Sequence, residues 1–157
     1  MSRVTDTDRG AAALLARARQ LAGGEIVKVG VLDDRPKRKA ASKRGEKLSL
    51  LEVAAVHEFG APAAGIPQRS FIRATIDAHA PEIVELQATL AAQVVAGKLT
   101  ARAALDMIGA KVAAMCQSRI AEGIAPALKP ATVRRKGSSK PLVDTGQLRS
   151  SITWRVE

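Results

Sequence analysis

The chain of 157 residues carries 25 Lys and Arg against 15 Asp and Glu, a net charge of +10, with a single cysteine. That length suits one domain, residues 1–157, with a usable core of its own. The lone Cys116 excludes an internal disulfide, and no stretch approaches the ~18 apolar residues of a membrane span. No basic start followed by an apolar run opens the chain, so folding in a reducing cytoplasm, away from any membrane, is the expectation. Hydrophobic residues make up 46% of the chain, but Phe59, Phe71 and Trp154 are its only aromatics. Aromatic side chains dominate many cores and interfaces, so a core of small aliphatics is expected, one that partner subunits help to complete.

Residues 8–22 read as a helix capped by Asp8, with Leu14, Leu15, Ala18 and Leu21 as its apolar stripe and Gly23-Gly24 as its end. Residues 25–32 read as a strand, Val27, Val29 and Val31 alternating onto one face. Residues 33–47 form a polar, basic loop with Pro36 and Gly45. Leu48, Leu51, Val53, Val56 and Phe59 give a helix over 48–59, with Ser49 and Glu52 at capping-box spacing. Gly60 to Pro67 is a turn region, and 70–79 is compatible with a short helix or a strand.

Pro81 suits the first position of a helix carrying Ile83, Leu86, Leu90 and Val94, which Gly97 ends. Thr100 caps the next, with Leu105, Ile108, Val112, Met115 and Ile120 as its stripe and Gly123 and Pro126 beyond it. Residues 129–140 form a second basic loop, and 148–156 a closing strand with Leu148, Ile152, Trp154 and Val156 apolar. Helices and strands interleave unevenly. The expected fold class is α+β: a small single domain with an antiparallel or mixed sheet packed by several helices, and long basic loops.

The positive charge is concentrated. Arg35, Lys37, Arg38, Lys39, Lys43, Arg44 and Lys47 lie in the first loop, and Lys129, Arg134, Arg135, Lys136 and Lys140 in the second. A single charge run is usually a solvated loop. Two runs point to a polyanionic neighbour, either nucleic acid or an acidic protein. Sequence-specific reading of DNA is not supported: there is no helix-turn-helix, no zinc-finger spacing and almost no aromatic surface for stacking bases. What remains is salt-dependent attraction to phosphate backbone.

No catalytic constellation is visible. His57-Glu58 lacks the second histidine of a metalloprotease helix, since position 61 is Ala61. His79 and Cys116 do not complete a metal-ligand set. Asp144-Thr145-Gly146, after Leu142-Val143, matches the tripeptide of aspartic proteases. Only 11 residues follow it, too few for the walls of such a site, so it reads as a turn before the last strand. There is no Gly-x-Ser-x-Gly and no phosphate-binding glycine loop. The chain reads as a non-enzyme without cofactor or metal.

Three segments, in this order, carry a resemblance. They are His57-Glu58-Phe59-Gly60; Ile66-Pro67-Gln68-Arg69-Ser70-Phe71-Ile72-Arg73; and Lys136-Gly137 followed by Lys140-Pro141-Leu142-Val143-Asp144-Thr145-Gly146-Gln147-Leu148 and Ser151-Ile152. Together with the Gly97-Lys98-Leu99-Thr100 break, they resemble the tail-completion, or head–tail joining, proteins of long-tailed double-stranded-DNA bacteriophages. The resemblance covers roughly residues 48–156.

It implies an α+β subunit of a homo-oligomeric ring, expected to be six-fold, at the neck or tail top of the virion, assembled in the host cytoplasm. Its neighbours would be stopper or connector proteins and the tail terminator or tail tube, with non-specific contact to double-stranded DNA in the channel. Gly60 and Pro67 would then shape a turn, and Phe59, Ile66, Phe71, Leu142 and Leu148 would be anchors. Asp144, Thr145 and Gly146 would turn the chain into the last strand. Arg69 and Arg73 would be interface charges or partners of Glu58 and Asp77. The alternatives are a tail-terminator ring, a non-specific DNA-binding accessory protein and a small hydrolase built on His57, Glu58 or Asp144.

Overall fold

The computed structural model describes residues 10–32, 49–127, 130, 133–134 and 146–157. In chain order the elements are α1 (Ala11–Leu21), β1 (Val27–Val31), α2 (Leu50–Phe59), α3 (Arg73–Ala78), α4 (Ala80–Val95), α5 (Ala101–Glu122), α6 (Gln147–Ser151) and β2 (Ile152–Val156). Local chemistry sets several boundaries. Ser49 and Glu52 form the reciprocal capping box at the start of α2. Pro81 sits in the first turn of α4, where its missing N–H costs nothing. The Thr100 hydroxyl accepts from the Ala103 amide and starts α5.

β1 and β2 pair antiparallel, Val27 opposite Val156, Val29 opposite Trp154 and Val31 opposite Ile152. Opposed residues share a face. This valine-rich face therefore lies on α5, while Lys28 and Arg155 pair on the other side. The α5 helix is the axis of the core: Ala101, Ala104, Ile108, Gly109, Val112, Ala113, Cys116 and Ile120 are all buried, with the sheet on one side and α4 on another. Ala54, Phe71, Leu90, Val94, Ile124, Leu148 and Ile152 complete the cluster. The fold is thus α+β with an antiparallel sheet, and its described core is aliphatic apart from Phe71 and Cys116.

Four expectations are corrected. The first helix begins at Ala11 behind Gly10 rather than at residue 8, and the expected cap, Asp8, lies outside the described residues. Its leucine stripe is not core, because α1 buries no side chain and Leu14, Leu15 and Leu21 remain exposed. The closing segment is not strand throughout: residues 147–151 are helical, and the strand starts at Ile152. Gly146, in the left-handed conformation, accepts the Ser150 amide and winds that turn. Finally, 129–140 is not simply a loop, since residues 130, 133 and 134 are helical, consistent with the fixed φ of Pro130. Residues 70–79 resolve into α3.

Candidate functional site

The first two motif segments of the resemblance meet at Glu58. On α2 the buried positions are Leu50, Ala54 and Glu58, one every four residues, so the carboxylate ends the core-facing row. Glu58 Oε1 accepts from Ser70 Oγ at 2.6 Å and from the Arg73 amide at 3.0 Å. Oε2 accepts from the amides of Phe71 at 2.8 Å and Ile72 at 3.0 Å. The three amides open α3, where backbone N–H groups lack helical partners and negative charge is favoured. Burial alone would push this carboxyl up. The Ser70 hydroxyl and the three amides outweigh it, and its pKa lies below the ordinary value.

Around this clamp the chain is held at several further points. The Arg69 amide donates to the His57 carbonyl at 2.8 Å, and Gln68 Nε2 to the Glu58 carbonyl at 3.0 Å. Ala61 and Ile66 exchange backbone bonds of 2.9 and 3.0 Å across a short turn, Pro62–Ala64. The Arg69 side chain is buried and donates from Nε and Nη2 to the Pro126 carbonyl at 3.1 and 2.8 Å, tying this segment to the chain just beyond α5. Arg119 on α5 donates to the Ser70 carbonyl at 3.4 Å.

These contacts show what the motif residues touch within the subunit. Glu58 is held by a hydroxyl and by amides rather than by arginine side chains. Arg69 is a buried structural donor, and Arg73 contributes its amide while its side chain stays exposed. Phe71 is fully buried, and Leu148 packs in the same core. Phe59 is not part of the described core: it is 71% exposed. Ile66 is half-buried and Pro67 exposed. Gly60 keeps its place as a turn former, since a Cβ there would lie 2.9 Å from the Gln68 nitrogen.

Ser70, Arg119 and the Pro126 carbonyl were not assigned roles from sequence. No sequence signal marked them, because the apolar row read on this helix runs through Leu51, Val53, Val56 and Phe59 and passes by Ala54 and Glu58.

Leu142, Asp144, Thr145, Lys136 and Lys140 lie outside the described residues. So do Arg35, Lys37, Arg38, Lys39, Lys43, Arg44 and Lys47 of the first basic segment, and Lys129 and Arg135 of the second. Arg134 is described, helical and exposed, and Gly146 precedes α6. Cys116 is fully buried. Burial pushes its thiol up, against a weaker opposing hydrogen bond with Thr75. Among the described residues no three His, Cys, Asp or Glu side chains converge to hold a metal ion, and no helix is long and apolar enough to cross a membrane.

Glu58 is the one buried carboxylate among the described residues, with a lowered pKa and a hydroxyl and three amides donating to it. No family model, curated protein or solved structure matches the chain.

Proposed function

We propose that this chain is a structural subunit at the head–tail connection of a tailed bacteriophage, completing the tail top so that it docks to a filled head. The observation that carries the reading is the Glu58 clamp. Two of the segments on which the resemblance rests, 57–60 and 66–73, form one hydrogen-bonded unit around that carboxylate. A structural role for the motif explains why its polar residues are spent on backbone donors and acceptors. It also explains why a chain with so small a core leaves large apolar side chains exposed on α1 and at Phe59.

The +10 charge and the two basic segments suit a ring around a DNA channel, where attraction to phosphate needs no sequence reading. They equally favour a second reading, a non-specific DNA-binding accessory protein. That reading predicts tight binding of duplex DNA by the purified protein, falling steeply with salt.

In vitro complementation tests the proposal. Purified protein is added to a lysate of a phage lacking this gene, in which heads and tails have assembled separately. Restored infectivity is the expected result. No restoration, together with tight salt-sensitive DNA binding, would move the assignment to the accessory protein.

A further inference from the structure

β1 and β2 form a two-stranded sheet, so each has one strand neighbour and one outer edge. The hydrogen-bond pattern says which backbone groups lie at those edges. Ile26 and Glu157 exchange both amide–carbonyl bonds, at 2.8 and 2.9 Å. Opposed residues of an antiparallel ladder alternate between bonded and non-bonded pairs. Lys28 with Arg155 and Gly30 with Thr153 are therefore bonded pairs, and the amides and carbonyls of Val27, Val29 and Val31 point away from β2. On β2 the outward residues are Ile152, Trp154 and Val156.

The two edges are furnished differently. On the β2 side, α5 supplies donors: Gln117 Nε2 reaches the Ile152 carbonyl at 3.1 Å and Arg102 Nη2 the Val156 carbonyl at 3.3 Å. On the β1 side, nothing among the described residues bonds to the outward groups of Val27, Val29 and Val31. Such an edge specifies its occupant's chemistry. Only an extended polypeptide backbone offers donors and acceptors alternating at strand spacing.

We infer that the outer edge of β1 takes up an extended segment of another protein as a third strand, one in which apolar and acidic residues alternate. This goes beyond the head–tail reading and does not depend on it. Residues opposed in a ladder share a face. Those opposite Val27, Val29 and Val31 continue the side on which these valines pack against the core, so they are apolar. The residues between them lie on the side of Lys28, which is exposed and is the only charged side chain of β1. Lys28 reaches back to Glu157, and a carboxylate at its open flank would give it a second partner. Charge also selects against a like copy. A second β1 docked antiparallel on this five-residue edge would bring its own Lys28 to the same short stretch, between chains of +10 each. An acidic strand meets attraction on both counts.

The test is amide hydrogen exchange of the full chain, read by NMR, alone and with a blocked seven-residue peptide alternating glutamate and valine. In the free protein the amides of Lys28 and Gly30 should be protected and those of Val27, Val29 and Val31 should exchange rapidly. The peptide should slow exchange at those three valines. Lysine in place of its glutamates should weaken binding at least about tenfold, and so should N-methylation of its valines, whose amides face β1. Val29→Pro removes one outward amide and leaves the β1–β2 bonds in place, so it should weaken binding by a similar factor. Circular dichroism checks that this variant folds, and the N-methylated peptide gives the same answer with the unaltered chain. Valine amides already protected in the free protein at every concentration would mean that the chain covers its own edge, and protection that grows with concentration would mean a second copy. Either result, equal binding of the lysine or N-methylated peptide, or no binding of the glutamate peptide would overturn the inference.

Discussion

The indole of Trp154 on β2 lies across Gly109 of α5, so closely that a methyl group at position 109 would stand 2.5 Å from Cδ1 and 2.7 Å from Cγ. Val27 Cγ2 closes the same space from β1 at 2.7 Å. The indole nitrogen donates to Asp106 Oδ1, one turn earlier on α5, at 3.3 Å. Gly in a helix costs about 1 kcal/mol relative to Ala. Here that cost is accepted because the missing side chain lets the sheet sit down on the core helix.

Gly109→Val is therefore expected to lower stability by about 2–3 kcal/mol through overpacking. Trp154→Ala in the same background should restore part of the loss, because the two positions share one space. Chemical denaturation of the two single variants and the double variant measures that coupling. Strict additivity would contradict the packing described.

Glu58→Ala removes the acceptor of three amides and a hydroxyl at once, and a loss of about 1–3 kcal/mol is expected. The acid response follows from the lowered pKa. The folded value lies below the 4.5 of the unfolded chain, so the carboxylate's contribution is complete above about 4.5 and is lost as pH falls through the folded value. Glu58→Gln should remove that part of the pH dependence. Urea midpoints from neutral to acidic pH, compared between wild type and Gln variant, check this. Parallel curves would contradict it.

Cys116 is fully buried, and burial holds its thiol above the ordinary pKa. The native protein should be inert to a thiol reagent at neutral pH, and one equivalent should react after denaturation. Rapid labelling of the folded chain would contradict the packing between α5 and α3.

Gly60 has φ +78°, and a Cβ there would meet the Gln68 backbone. Gly60→Ala is expected to cost about 1–3 kcal/mol in strain. The neighbouring Phe59→Ala should change monomer stability by less than about 0.5 kcal/mol, because its ring is exposed. Thermal melts of the two variants at low protein concentration distinguish a position that shapes the loop from one that the loop presents.

Helix boundaries with chemical signals were legible in the sequence. The Ser49 capping box, Pro81, Thr100 and Gly123 all sit where their side chains or backbone demand. Burial was less legible. The apolar row of α1 reads as core but lies open, because amphipathic spacing does not say whether the covering surface belongs to the same chain. On α2 the buried row is Leu50, Ala54 and Glu58 rather than Leu51, Val53 and Phe59. Hydrophobicity cannot announce a carboxylate that is buried to satisfy amides thirteen to fifteen residues away. The apolar Leu148 and Ile152 suggest a strand from residue 148, but the left-handed Gly146 and the Ser150 and Ser151 hydroxyls, which donate back to the Gln147 and Leu148 carbonyls, wind 147–151 into a helical turn.

The most direct test of the central claim is electron microscopy of lysates from a phage or prophage in which this gene is deleted. The account predicts filled heads accumulating apart from tails of normal length, with joined particles restored when the gene is supplied in trans. Overlong separate tails would instead identify a ring that stops tube growth. Intact, infectious particles in the deletion would contradict the account.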